Sequence, residues 1–110
     1  MHSADDCILL FNTCPDQGVA DKIAQLLVER KHAACVNSIA NIHSTYRWQG
    51  KLCKEEECLL VIKSTQAHYT AIQELITANH PYELPEIIAV PTSVGLDRYL
   101  AWIHASVDFK

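Results

Sequence analysis

Glycine is scarce, with three in 110 residues, and there are only four prolines and one methionine. So few glycines exclude collagen-like repeats and leave little for a phosphate-cradling loop. No P-loop, Gly-x-Gly-x-x-Gly, His-Glu-x-x-His, Gly-x-Ser-x-Gly or Cys-x-x-Cys is present. Long apolar runs are missing too. Cys7 to Phe11 and Cys58 to Ile62 reach about five residues, against the roughly twenty that cross a bilayer as a helix, so a membrane is not an expected partner. Basic charge is in deficit, nine Lys+Arg against thirteen Asp+Glu for a net charge of -4, and no basic run tracks a phosphate backbone, so nucleic acid is not expected either. The start, residues 1–6, lacks the basic and apolar segments of a secretory signal, and cytoplasmic residence is the expectation.

What remains is ordinary for a globular chain: 49% hydrophobic and 20% charged residues in a length that suits one domain spanning 1–110. Five cysteines, Cys7, Cys14, Cys35, Cys53 and Cys58, are an odd number without a repeated short spacing, which fits reduced thiols better than a disulfide framework or a zinc ribbon. Cys53 and Cys58 would point to opposite faces of one regular strand.

The apolar periodicity gives an element order. Cys7–Thr13 reads as a buried strand closed by Pro15-Asp16. Val19, Ile23, Leu26 and Leu27 fall at helical spacing, predicting a helix from about Asp16 to Arg30. From Ala33 to Lys63 there is no helical stripe, and Gln49-Gly50 marks the turn of a long hairpin in which Trp48 faces Lys51, Tyr46 faces Cys53, His43 faces Glu56 and Ile39 faces Leu60; a bulge would shift this register by one. Tyr69, Ile72, Leu75 and Ile76 predict a second helix ending near Asn79, before His80-Pro81. Glu86–Pro91 reads as a short strand, and Tyr99, Leu100 and Ile103 mark a short terminal helix. The two strand–helix–strand halves echo each other: Ile23, Leu26, Leu27 in one match Ile72, Leu75, Ile76 in the other. The plan is α+β, a ferredoxin-like βαββαβ sandwich with a long β-hairpin and a short C-terminal helix. The hairpin arms exceed the other strands, so their tip projects with Tyr46, Trp48 and Leu52. A neighbouring subunit covering that ribbon predicts a cyclic oligomer, unless a loop near Asn41 or Lys54 shortens the hairpin.

Six histidines invite a search for metal ligands. His80 stands out between a helix end and Pro81, as a ligand or as a helix-terminating residue bonded to a backbone carbonyl. Cys35 reads as a small apolar residue in a packed sheet or, if exposed beside another donor, as a thiolate ligand. Glu55-Glu56-Glu57 alternates faces along a strand and reads as a solvated or intersubunit surface.

Four stretches resemble the CutA family of divalent-cation tolerance proteins: Lys31-His32-Ala33-Ala34-Cys35-Val36-Asn37, Ser44-Thr45-Tyr46-Arg47-Trp48-Gln49-Gly50-Lys51, His80-Pro81-Tyr82-Glu83-Leu84-Pro85-Glu86 and Tyr99-Leu100-Ala101-Trp102-Ile103. The resemblance runs from Cys7 to Val107. It implies a homotrimer like the PII signalling proteins and a role in tolerance to copper or another divalent cation. It maps the family's copper ligands onto Asn12, Asn79 and His80, so only His80 keeps a ligating type, and Cys14 is the candidate second, soft ligand. It also places Cys35, Tyr46, Trp48, Lys63, Tyr82 and Glu86 at intersubunit clefts, where an aromatic wall, an ammonium and a carboxylate would take a small polar or anionic ligand. Three functions follow as alternatives: a metal-responsive trimer, a PII-like regulatory trimer sensing a small molecule, and a scaffolding trimer. No enzymatic activity is expected. Acylphosphatases share the plan, but Asn12 to Gly18 holds no arginine for their anion loop.

Overall fold

The computed structural model describes residues 6–107, so the reading of the amino terminus, 1–5, lies outside the described residues. Strand β1 (Cys7–Cys14) leads into α1 (Gln17–Glu29), then the hairpin β2 (Cys35–Trp48) and β3 (Lys51–Thr65). A 3-10 turn, Gln66–His68, starts α2 (Tyr69–Asn79), followed by β4 (Ile88–Pro91) and α3 (Asp97–Val107). The four strands form one antiparallel sheet in the order β2-β3-β1-β4, the predicted ferredoxin-like arrangement.

Helices α1 and α2 cover one face because their apolar stripes match the inward residues of the strands. Ala20, Ile23 and Leu27 from α1 and Ile72, Leu75 and Ile76 from α2 close over Leu10, Leu60 and Ile62. Asp16 and Arg30, predicted as the helix ends, are the caps of α1; the Asp16 carboxylate accepts from the Val19 N–H at 2.9 Å. Asp16→Ala is expected to cost about 1 kcal/mol in a denaturant melt, as removal of an N-cap does. On the other face α3 covers the start of β1, through Leu100 and Ile103 against Cys7, and the adjoining end of β3. The rest of that face stays open and apolar. Ile39 is 48% exposed, Ile88 55% and Val90 38%.

Three boundaries depart from expectation. Strand β4 begins at Ile88, not Glu86, because the Glu86 carbonyl accepts from the Asn12 side chain and takes no part in the ladder. The terminal helix is longer than its three-residue stripe and starts at Asp97. Ile39 pairs with Leu59, not Leu60, because Ala40 and Asn41 form a β-bulge between Ile39↔Leu59 and Ile42↔Glu57, with Asn41 at φ 61. Beyond the bulge the predicted pairs Trp48↔Lys51, Tyr46↔Cys53 and His43↔Glu56 are all present. Gln49 and Gly50 take positive φ, 51 and 80, as a two-residue hairpin turn of this hand requires.

The bulge sets the site. On a straight strand the odd residues of β2 would all face one way. The extra residue changes parity, so that Ile42, Ser44, Tyr46 and Trp48 join Cys35, Asn37 and Ile39 on the open face, beside Glu55 and Glu57 of β3. The hairpin extends well past the other strands. The chain measures 48 × 25 × 22 Å with a radius of gyration of 14.6 Å, against about 13 Å for a compact chain of this size.

Candidate functional site

Where the hairpin leaves the sheet, its open face meets the loop between α2 and β4 in a cleft of about 470 Å³. Tyr46, Trp48, Glu55 and Glu57 come from the hairpin, Thr13 from β1, and Pro81, Tyr82, Glu83, Leu84 and Glu86 from the loop. The loop is held by its sequence. Pro81 forces His80 into an extended conformation (φ -99, ψ 136), which ends α2 and turns the imidazole toward β1. The His80 Nε2–H donates to the Thr13 carbonyl at 2.8 Å, and Nδ1 accepts from the Tyr82 N–H at 3.2 Å. At the far end of the loop the fully buried Asn12 donates through Nδ2 to the Glu86 carbonyl at 2.9 Å. The last residues of β1, which have no β4 partner, thus grip both ends of the segment that carries Tyr82 and Glu86.

Within the cleft the Tyr82 hydroxyl donates to a Glu57 carboxylate oxygen at 2.8 Å, and the Tyr46 hydroxyl donates to Glu55. Burial, followed by the bond to Glu57, raises the Tyr82 phenol above its ordinary value. The bond to Glu55 is the main reason the Tyr46 phenol is pushed up to about 12. Both phenols therefore stay protonated donors throughout the physiological range. Glu57 is only 6% exposed, and among the described residues no cationic side chain pairs with it. Four carboxylates, Glu55, Glu57, Glu83 and Glu86, line the cleft, and among the described residues no lysine or arginine does. Partial desolvation, then the charge of Glu57, raises the Glu86 carboxyl. A raised acid favours the folded state below its unfolded value, and that contribution is lost as pH rises through the folded value. Glu86→Gln should consequently raise the melting temperature at pH 7 and give no gain below the carboxylate range, which melts at the two pH values would show.

Of the six residues expected at the cleft, Tyr46, Trp48, Tyr82 and Glu86 come together. Cys35 and Lys63 do not join them in the single chain. They face each other at the opposite end of the hairpin, where the Lys63 ammonium lies 5.7 Å from the centre of the Tyr99 ring. The two expected metal ligands are also apart in role. Both ring nitrogens of His80 are engaged by the backbone, as in the helix-terminating alternative. The Cys14 thiol is fully buried, donates to Asn12 Oδ1 at 3.3 Å and is pushed up to about 12, chiefly by burial. Among the described residues no three His, Cys, Asp or Glu side chains converge to hold a metal ion.

The sequence marks Glu55-Glu56-Glu57 as a solvated or intersubunit surface and Asn12 only as a position without a ligating type, whereas the structure buries Glu57 and Asn12 and sets Asn12, Glu55 and Glu57 at the cleft or its anchors. Glu55 and Glu57 lie two apart and so share a face, while Glu56 points the other way; that spacing was the available signal. Nothing local signalled Asn12, whose partner lies 74 residues further along the chain.

Known proteins share this fold and sequence. Residues 8–106 match the family model described as CutA1 divalent ion tolerance protein. Protein CutA of Mus musculus is 44% identical over 94 residues, which is 86% of this chain and 53% of the mouse protein. The chain thus spans about half the length of that relative. The divalent-cation tolerance protein CutA of Thermus thermophilus is 43% identical over 92 residues, covering 84% of this chain and 89% of that protein. Among solved structures, CutA from Xylella fastidiosa superimposes with a TM-score of 0.91 at 47% identity, covering 94% of this chain and 99% of the other. The chain belongs to the CutA1 divalent ion tolerance family.

Proposed function

We propose that the protein serves in divalent-cation tolerance as a homotrimer without enzymatic activity, and that it recognises its ion in clefts lying between subunits. The observation that carries this reading is Glu57, a carboxylate almost removed from water with no counter-charge of its own. A buried charge is stable when paired, and the four-carboxylate cleft supplies a field that draws a cation in. Lys63 of the same chain is six residues along the strand, roughly 20 Å away, so it cannot serve Glu57 from within. A second copy, on the open apolar face and the free β2 edge, is expected to bring its own Cys35 and Lys63 toward the rim of this cleft, as the family resemblance implies. The oxygen donors of the cleft suit a hard divalent ion better than copper, and since no three of them converge among the described residues of one chain, the neighbouring subunit has to complete the coordination. Five cysteines, free where the structure describes them, suit the reducing cytoplasm.

Light scattering on the purified protein is expected to report three times the 12.3 kDa chain mass. Calorimetric titration with manganese, zinc and copper salts is expected to give saturable binding that Glu57→Gln weakens. A monomer, or binding indifferent to Glu57, would refute the reading. The size of the cleft and its three aromatic rings favour one second reading, a PII-like regulatory trimer holding a small cationic metabolite. Trp48 fluorescence would then respond to the metabolite and not to metal salts.

A further inference from the structure

Strand pairing places another chemically active pair on the helix-covered side of the sheet. Cys14, the last residue of β1, lies directly opposite Cys58 of β3, and both side chains belong to the buried core beneath the helices. Directly opposed residues hold their Cβ atoms about 4.5–5.5 Å apart, so the two side chains are immediate neighbours on the covered face. Both cysteines are free. Amide oxygens flank them: the Cys14 thiol donates to Asn12 Oδ1 at 3.3 Å and the Cys58 thiol to Gln17 Oε1 at 3.6 Å.

A cavity of about 260 Å³ opens onto Cys58, behind which Cys14 is fully buried. Its walls include Asp16, Gln17, Asn41, Glu56 and Cys58, drawn from three segments that converge only in the fold. The β-bulge explains the opening. Ile39 pairs with Leu59 and Ile42 with Glu57, so Cys58 has no partner on β2, and the backbone that would cover it is bowed away. Asp16, Glu56 and Glu57 give the mouth a negative field, and among the described residues no lysine or arginine lines it.

We propose that Cys14 and Cys58 form a two-thiolate site for a soft monovalent cation, copper(I) being the biological example, reached through this cavity. Thiolates are the side chains that select copper(I), and its filled d shell accepts linear coordination, so two opposed sulfurs suffice without a third ligand. The exchange is simple: copper(I) enters, two S–H bonds break, two Cu–S bonds form and two protons leave to solvent, with no electron transferred. Burial, followed by the charges of Cys58, Glu57 and Asp16, keeps the Cys14 thiol protonated at neutral pH. A protonated thiol is slow to oxidise or alkylate, so the pair persists until a thiophilic ion displaces its protons. This site lies on the opposite face from the cleft and stands or falls without it.

Reduced protein, titrated anaerobically against the bicinchoninate complex of copper(I), tests the site. One copper withdrawn per chain is expected, with a thiolate-to-copper charge-transfer band in the near ultraviolet. Cys58→Ser should abolish both, and Cys53→Ser on the hairpin should change neither. A wild-type chain that withdraws no copper overturns the proposal, as does a Cys58→Ser chain that withdraws as much as the wild type. Should Cys58→Ser unfold, X-ray absorption at the copper edge of the wild-type complex decides the matter. A shell of sulfur alone supports the pair, and a nitrogen donor in the shell overturns it.

Discussion

His80→Ala is expected to lose about 2–4 kcal/mol of stability in chemical unfolding, even with every metal removed. The imidazole is 9% exposed and satisfies two backbone groups, the Thr13 carbonyl and the Tyr82 N–H. Each group left buried and unpaired costs about 1–3 kcal/mol. The ring also packs on Tyr82, centre to centre at 4.7 Å, so its removal loosens the aromatic wall of the cleft as well. His80→Gln, whose amide can still donate to Thr13, should recover part of the loss. A residue whose role is only to ligate a metal would behave otherwise: its removal would leave the metal-free protein as stable as before. Equal unfolding midpoints for wild type and His80→Ala, both measured in a chelator, would therefore refute the anchoring role.

Glu57→Gln should separate stability from recognition. The neutral amide keeps an oxygen for the Tyr82 hydroxyl while removing a charge that is nearly buried and unpaired in the single chain. The folded chain should be as stable as the wild type or more so, since an uncompensated buried charge opposes folding. Cation binding should weaken by about 2 kcal/mol, roughly thirtyfold, the low end of what truncating one partner of a buried charge pair costs. Loss of stability together with unchanged binding would identify Glu57 as a packing residue. Tyr82→Phe gives a companion readout in alkali. The Tyr82 phenol is raised above its ordinary value, so its contribution to stability is complete below about pH 10 and is lost as pH climbs through the folded value. The phenylalanine variant should start less stable and show a flatter alkaline decline.

Local pattern carried a large part of the fold. The stripe Ile23, Leu26, Leu27 and the caps Asp16 and Arg30 specify α1 because helical spacing and N-capping are short-range properties. Gln49-Gly50 specifies the hairpin because two successive positive φ values demand such residues, and Trp48↔Lys51, Tyr46↔Cys53 and His43↔Glu56 follow by counting back from the turn. Counting failed at Ile39, where the bulge intervenes. Asn41, a residue type that tolerates positive φ, was the one local hint of an irregularity, but the register shift it produces depends on how the far end of β2 is pinned against β3.

The site divides along the same line. Its residue types, and the family to which they belong, were legible in Tyr46, Trp48, Tyr82 and Glu86. The amino-acid sequence by itself determined the element order, the hairpin, the helix ends and that family membership, because each rests on contacts between near neighbours or on a motif read in line. Only the tertiary structure decided that His80 serves the backbone, that Glu57 sits buried without a counter-charge, that Lys63 lies too far away to supply one, and that Cys14 faces Cys58. These depend on strand register and on which face each residue takes. One extra residue at Asn41 changes both, and a linear reading cannot see where the chain places it.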